Sequence, residues 1–252
     1  MNPIARTEAE LDLALAAELQ AALLPKSCPH NCPHQVATAM NRMCRTVGGD
    51  FHDFLRLNED QVAIVIGDVV GHGVRSSLLM AQIMGWLRSD RGQHARPLKV
   101  MTDLNRMLID LGDKTDSVLP CSMIYTVIDG PTGLALFVNA GHPRPVLCGP
   151  DRCGAAGLGS RNILLGVQDV PFEEGCLTFQ PGERLVLYTD GVVDAINRSD
   201  EPFGMERLHG VLAGHPNSTP QECAAAVFQA VDDFRQGAPQ RDDETIVVVD
   251  RV

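Results

Sequence analysis

Four short segments of this chain place aspartate beside glycine or at the end of an apolar run. They are Val47-Gly48-Gly49-Asp50, Ile66-Gly67-Asp68, Tyr188-Thr189-Asp190-Gly191 and Arg241-Asp242-Asp243-Glu244-Thr245. One such segment is usually a turn, because Asp and Gly are common turn formers. Four of them, with little Lys or Arg nearby except Arg241, predict carboxylates that the fold gathers. Gathered carboxylates repel one another unless cations neutralise them.

Oxygen ligands of this kind favour Mg²⁺ or Mn²⁺ over zinc. Two such ions about 3.5 to 4 Å apart can activate a water and stabilise the oxygens of an in-line displacement at phosphorus. The pattern therefore predicts hydrolytic phosphoryl transfer. A P-loop or kinase interpretation fails, because the G-x-x-x-x-G-K-[ST] motif is absent and Gly71-His72-Gly73 lacks the rest of a kinase signature.

The elements that must position these carboxylates are short apolar runs bounded by turn residues, which predict strands. The predicted strands are 36–40, 51–57, 62–68, 122–129, 134–139, 145–148, 176–180, 184–190 and 245–250. The predicted helices after the first strand are 74–89, 98–111, 204–213 and 220–235. A hairpin turn is expected at 130–133. Hairpin-linked strands with helices inserted in pairs predict an α+β fold, in which helices cover antiparallel sheets.

The N-terminal segment predicts a helix from Thr7 to Leu24, opened by a capping box of Thr7 and Glu10. Its apolar residues lie on one face, at Leu11, Leu15 and Leu19. This stripe packs either on its own domain or on a second copy of the chain. We divide the chain into a linker helix and proline-rich connector, residues 1–34, and one catalytic domain, residues 35–252.

Cysteine and histidine alternate in the connector, where residues 28–34 hold two of each. These ligand types suit zinc, but the C-x-H-x-C-x-H spacing is tighter than in usual structural zinc sites. A stiff proline-rich connector is the alternative. The chain has eight cysteines and no secretion signal, so reduced thiols are expected.

Composition and charge restrict the class of protein. The 252 residues are 44% hydrophobic, which is ample for a buried core. The sequence lacks both a window of about 18 apolar residues and a signal peptide, so we expect a cytoplasmic protein without membrane contact. A net charge of -11 argues against nucleic acid as partner and against a nuclease, since there is no surplus of basic residues to replace counterions.

Five ordered motifs resemble the bacterial PPM-type serine/threonine phosphatases of the SpoIIE and RsbU group. They are VGGDFHDF at 47–54, GDVVGHG at 67–73 with SSLLMA at 76–81, NAGHPRP at 139–145, LVLYTDGVVDA at 185–195 and DDETIVVV at 242–249. The helix ending in LLP at 23–25 resembles the linker that leads into such domains. The segment 48–51 also partly resembles diguanylate cyclases, but the later motifs do not fit that family.

The resemblance implies a sandwich of two antiparallel sheets flanked by helices, with a centre of two Mn²⁺ or Mg²⁺ ions between them. Asp68 matches the bridging ligand and the carbonyl of Val69 its neighbour. The other matches are Asp190 and Asp242 as metal-binding carboxylates, Asp50 as an acid that reaches metal through water, and Asp243 as a neighbour of the ligands. Asp68 and Asp190 would hold the nucleophilic water, so no phosphoenzyme is needed.

Three more residues have alternative roles. His72 and His142 lie in glycine-containing loops and either contact phosphate, act as an acid or orient their loops. Arg144 either meets phosphate or is a surface arginine.

The resemblance also implies a substrate, a phosphoserine or phosphothreonine protein such as an anti-sigma-factor antagonist. The alternative is a phosphatase-fold module with little or no turnover that regulates a partner-switching pathway. We expect the helix from Thr7 to Leu24 to mediate a homodimer.

Overall fold

Six helices and ten strands form within the residues that the computed structural model describes, which are 7–29, 32, 34–89, 94–149, 152–155 and 162–252. In chain order they are α1 (Glu8–Leu23), β1 (Gln35–Arg42), β2 (Asp50–Arg56), β3 (Gln61–Val69), α2 (Val74–Ser89), α3 (Pro97–Thr115), β4 (Cys121–Asp129), β5 (Leu134–Ala140), β6 (Val146–Gly149), β7 (Arg152–Ala155), β8 (Gly175–Thr178), β9 (Arg184–Tyr188), α4 (Asp190–Val193), α5 (Gly204–Gly214), α6 (Pro220–Arg235) and β10 (Glu244–Arg251).

The strands form two antiparallel sheets of five strands each. The first sheet has the order β1-β10-β9-β6-β7 and the second the order β2-β3-β4-β5-β8. Both faces of β3 are buried, which explains why its sequence is a continuous apolar run. Ala63 and Val65 face the helices α2 and α3, whereas Ile64 and Ile66 face the other sheet.

The helices cover the outer faces of the two sheets. The α3 stripe of Val100, Met101, Leu104 and Leu108 is buried against the second sheet together with α2. Helices α5 and α6 pack on β9 and β10 of the first sheet. Three cores therefore separate four layers, and the expected α+β sandwich of two antiparallel sheets flanked by helices is confirmed.

Several predicted elements are confirmed, and a few are wrong. Helices 74–89 and 220–235 have the expected bounds, and the turn at 130–133 joins β4 to β5. The strand predicted over 184–190 ends at Tyr188, because Asp190 opens the short helix α4, closed by a bond from Asp194 N–H to the Asp190 carbonyl of 2.8 Å. Neither α4 nor β7 was expected.

The expectation of reduced thiols is wrong for one pair of cysteines. Cys148 on β6 and Cys153 on β7 are register partners in these two neighbouring strands and are joined as a disulfide. The short β6–β7 hairpin was missed in the sequence, and this pairing was missed with it.

Helix α1 begins with the predicted capping box, in which Thr7 and Glu10 exchange side-chain and backbone bonds. The junction after it is pinned to the second sheet and to α2. Arg88 on α2 donates to the Asp53 carboxylate at 2.7 Å and to the carbonyl of Leu23 at 2.6 Å. No helix within the described ranges is long and apolar enough to cross a membrane.

Candidate metal centre

Asp50 and Asp68 are paired across two neighbouring strands. Asp50 opens β2, Asp68 lies one residue before the end of β3, and the antiparallel register places them directly opposite each other. Like charges in directly opposed positions destabilise a sheet. The sequence therefore maintains a repulsive pair at this edge, and bound cations would remove the repulsion.

Asp50 is held by two threonines from the other sheet and its adjoining loop. Its carboxylate accepts hydrogen bonds from the hydroxyls of Thr189 at 2.8 Å and Thr245 at 2.6 Å. Burial, with Asp50 only 1% exposed, and then the charge of Asp68 raise its pKa well above the usual range. Asp50 thus connects the two sheets at the site.

Asp68 interacts electrostatically with three other aspartates of the cluster. Burial first, and then the charges of Asp190, Asp242 and Asp243, raise its pKa to about 7. The pKa values of Asp190 and Asp242 are also raised, first by desolvation and then by acidic neighbours. The structure therefore brings together the predicted carboxylates from four separate segments.

Asp243 uses both of its carboxylate oxygens to hold the loop before β2. One oxygen accepts from the backbone N–H of Cys44 at 2.8 Å and the other from that of Gly49 at 2.9 Å. A carboxylate occupied in this way positions the segment that carries Asp50. The expected place of Asp243 beside metal ligands stays a prediction.

The carbonyl of Val69 and a carboxylate oxygen of Asp68 both lie close to Gly49. A β-carbon built on Gly49 would stand 2.5 Å from the Val69 oxygen and 3.0 Å from the carboxylate oxygen of Asp68. Glycine therefore keeps open a space lined by these two oxygens, and an oxygen-only donor set fits Mg²⁺ or Mn²⁺. Within the described part of the chain, however, no three Asp, Glu, His or Cys side chains form a ready-made cage.

The two candidate histidines have different environments. His72 is exposed in the loop after β3, and its charge interacts with Asp242. His142 is buried, shares a hydrogen bond of 2.7 Å with the hydroxyl of Ser122, and has a pKa lowered to about 3 by burial. Ser122 is the register partner of Asp68 on β4, so His142 supports the strand beside the site.

Arg144, the third open candidate, is exposed, and its carbonyl accepts a bond from the Tyr188 hydroxyl at 2.9 Å.

Several residues of the site were not predicted. Thr189 and Thr245 stand beside the predicted aspartates, and their polarity inside apolar strand segments was an available signal. Gln20 carried no such signal. It is the one buried side chain of α1, and it makes two bonds to the backbone of Gly48, accepting from its N–H at 3.1 Å and donating to its carbonyl at 2.8 Å.

Replacing Gln20 with alanine should destabilise the protein and weaken metal binding. The change leaves the buried N–H of Gly48 unpaired, which costs about 1–3 kcal/mol, and it releases the loop that leads into Asp50. Urea unfolding and Mn²⁺ titration measure the two effects. Glu18→Ala, at an exposed position of the same helix, is the matched control, and equal behaviour of the two variants would contradict the positioning role.

The stability of the metal-free protein should fall as the pH rises from about 4 to about 7. The folded pKa values of Asp50 and Asp68 lie above the unfolded value of about 3.9, so their contribution is complete below that value and is lost as pH rises through the folded pKa. Thermal unfolding in chelator, compared with Asp68→Asn, should show a difference in Tm that shrinks on acidification. A difference that is independent of pH would contradict the coupling.

The fold around this cluster is that of PP2C-type phosphatase domains. The SiaA-PP2C domain of Pseudomonas aeruginosa superposes with a TM-score of 0.81 at 20% identity, covering 97% of this chain and 97% of that chain. The PP2C domain of SpoIIE from Bacillus subtilis, solved with a fragment of its regulatory domain, gives a TM-score of 0.72 at 20% identity, covering 90% and 66%.

The sequence identifies the family. Residues 58–252 match the model of the family described as stage II sporulation protein E (SpoIIE), and the chain belongs to this family. A relative, the phosphoserine phosphatase RsbP of Bacillus subtilis (strain 168), is 29% identical over 206 residues, which are 81% of this chain and 49% of RsbP. The chain thus spans about half the length of this curated relative. The resemblance to the SpoIIE and RsbU group is confirmed.

Proposed function

We propose that this chain is a metal-dependent protein serine/threonine phosphatase that acts in bacterial signalling. The observation that carries the proposal is the opposed pair of Asp50 and Asp68, with Asp190 and Asp242 electrostatically coupled to Asp68. The proposal is also supported by the name of RsbP as a phosphoserine phosphatase. A cluster of mutually repelling carboxylates has no structural benefit unless cations bind it.

In this proposal two Mn²⁺ or Mg²⁺ ions lie among the carboxylates. When bound, such ions lower the pKa of a water and offset charge on phosphate oxygens. The carboxylates of Asp68, Asp190 and Asp242 and the carbonyl of Val69 would hold the ions. Other residues of the chain orient the carboxylates of the site. Thr189 and Thr245 orient Asp50, and Asp243 fixes the loop before it.

The decisive experiment is hydrolysis of an aryl phosphate by the purified chain with Mn²⁺, with Mg²⁺ and with chelator. We expect turnover with at least one of the two ions and none in chelator. A phosphoserine protein serves as second substrate and tests the protein-directed part of the proposal. Metal-independent turnover, or turnover that survives both Asp68→Asn and Asp190→Asn, would overturn the mechanism.

A second candidate is a phosphatase-fold module with little turnover, which regulates a partner-switching pathway. One observation favours it, namely that within the described residues no group of three Asp, Glu, His or Cys side chains is arranged so that it could hold a metal ion. Such a centre would need a partner or a high ion concentration to assemble. Binding of a phosphoprotein without hydrolysis at saturating Mn²⁺ would support this candidate over the first.

The substrate and the cellular location of the protein are also inferred from the family. We infer a phosphorylated anti-sigma-factor antagonist as substrate and the cytoplasm as location, on the basis of the family. The division into a linker, residues 1–34, and a phosphatase domain, residues 35–252, also stays a prediction. Release of phosphate from a purified antagonist protein, but not from a phosphorylated control protein, tests the substrate.

Helix α1 is proposed to pair with α1 of a second copy. Its leucine stripe is open to solvent, with Leu11 50%, Leu15 58% and Leu19 70% exposed. Exposed leucines at helical spacing are costly in water and suit a helix–helix contact. The mass in solution should be that of a dimer for the whole chain and of a monomer after removal of residues 1–25. A monomeric mass in both cases would refute the pairing.

A further inference from the structure

The connector between α1 and β1 brings two cysteine sulfurs into contact. The Sγ atoms of Cys28 and Cys32 lie 2.8 Å apart, and both residues are free cysteines. Cys28 is only 8% exposed, inside the core between the two sheets, and Cys32 is half-buried against the same core. The pair therefore lies at the surface of the core, with Cys32 on the outer side.

The backbone holds these sulfurs together from both directions. Cys28 N–H donates to the carbonyl of Ala37 on β1 at 3.1 Å, and Ala39 N–H donates to the carbonyl of Lys26 at 2.9 Å. Cys32 N–H donates to the carbonyl of Pro29 at 3.2 Å, which ties Cys32 to the residue that follows Cys28. Because Cys28 is anchored to β1 and Cys32 is bonded to Pro29, Cys32 stays within reach of Cys28.

The two thiols differ in access, since Cys28 is buried and Cys32 is partly exposed. Burial raises the pKa of the Cys28 thiol, and the adjacent Cys32 sulfur raises it further. A buried thiol of this kind is a poor attacking group, whereas a partly exposed one meets reagents in solution. A partly exposed thiol that reacts first and a buried thiol that completes the bond are the two parts of a dithiol redox site.

We propose that Cys28 and Cys32 form a reversible intramolecular disulfide in exchange with a low-molecular-weight disulfide. The Cys32 thiolate attacks one sulfur of the reagent, so a mixed disulfide forms and the first reagent thiol leaves. Cys28 then gives its proton to the released reagent thiolate, its sulfur attacks Cys32 Sγ, the bond between Cys32 and the reagent breaks, and the second reagent thiol leaves. The two protein thiols are oxidised and the reagent S–S bond is reduced to two thiols.

The location distinguishes this pair from the chain's other free cysteines within the described residues. Cys176, for example, is a free and exposed cysteine. The Cys28–Cys32 bond would instead fasten the connector by which α1 joins the first strand of the phosphatase fold. The disulfide would be a modification of the chain that phosphate ester hydrolysis does not require.

Titration of the full chain with mixtures of reduced and oxidised glutathione tests the proposal. After acid quenching and alkylation, trypsin releases a peptide of residues 27–42 that holds both cysteines and no other. As the oxidised fraction rises, we expect this peptide to lose two hydrogens and to resist alkylation, and dithiothreitol to reverse both changes. Cys176 should instead carry a mixed disulfide with glutathione.

Serine variants of the cysteines and a zinc-binding measurement complete the test. Cys32→Ser and Cys28→Ser should each abolish the internal bond, whereas the matched control Cys176→Ser should leave it unchanged. Alkylation of both cysteines at every glutathione ratio, or stable glutathione adducts on both, would overturn the proposal. So would one equivalent of Zn²⁺ that is retained by chelator-treated, reloaded protein and protects both thiols, because the pair would then be a metal site.

Discussion

Asp68→Asn is expected to reduce aryl phosphate hydrolysis with Mn²⁺ by two to three orders of magnitude, about the effect of removing one preorganised charge-stabilising group. The same change should raise the stability of the metal-free protein, because it removes the repulsion with Asp50 directly across the strand pair. Loss of activity together with a gain in stability is the result that a purely structural aspartate would not give. Phosphate release and thermal unfolding in chelator measure the two quantities.

The matched control for Asp68→Asn is Asp113→Asn, at an exposed position on α3. It changes the net charge equally and should leave both activity and stability within experimental error. If Asp68→Asn keeps full activity, or if Asp113→Asn shows the same gain in stability, the assignment of Asp68 to the centre is wrong.

Gly191→Ala is the second change with a large expected effect. Gly191 packs against the backbone where Asp243 follows Asp242, and a β-carbon at this position would overlap the carbonyl oxygen of Asp243. Overpacking of this kind costs about 1–3 kcal/mol. The displacement also separates Asp190 from Asp242, so we expect Mn²⁺ affinity to fall at least tenfold, which is about 1.4 kcal/mol.

Gly210→Ala on α5 is the control for Gly191→Ala. A β-carbon there meets no atom within 4 Å, and alanine favours the helix by about 0.5–1 kcal/mol over glycine. Isothermal titration with Mn²⁺ and urea unfolding compare the variants. Unchanged Mn²⁺ affinity in Gly191→Ala would show that the 190 and 242 segments need not be in contact.

The layers of this fold could be predicted from the sequence, because strands and helices with buried faces carry apolar residues at regular spacing. The apolar run of β3 and the helical stripe of α3 are visible without a structure, since each of their faces meets a core. The short helix α4 and the strand β7 show no such apolar pattern in the sequence. A four-residue element buries too few side chains to impose a period, and the apolar run of β9 continues past its own end toward Val192 and Val193.

Only the charged residues of the candidate site could be predicted from the sequence. Asp50, Asp68 and Asp190 each have a neighbouring glycine, and Asp242 lies in the acidic segment that precedes the apolar run of β10. Gln20 is an ordinary residue in a surface helix, and its importance arises from a backbone contact with Gly48 across 28 residues. Contacts to backbone atoms leave no pattern in the sequence, because any residue type presents the same N–H and C=O groups.

The two bonds from Asp243 to the loop before β2 have a kinetic consequence. They join residues 199 and 194 positions apart, and Thr245 reaches Asp50 across 195. Closing loops of that length is slow relative to local pairing. We therefore expect the contacts of Asp243 and Thr245 to form only when β10 docks between β1 and β9, after the local pairing of β2 with β3 has already brought Asp50 opposite Asp68.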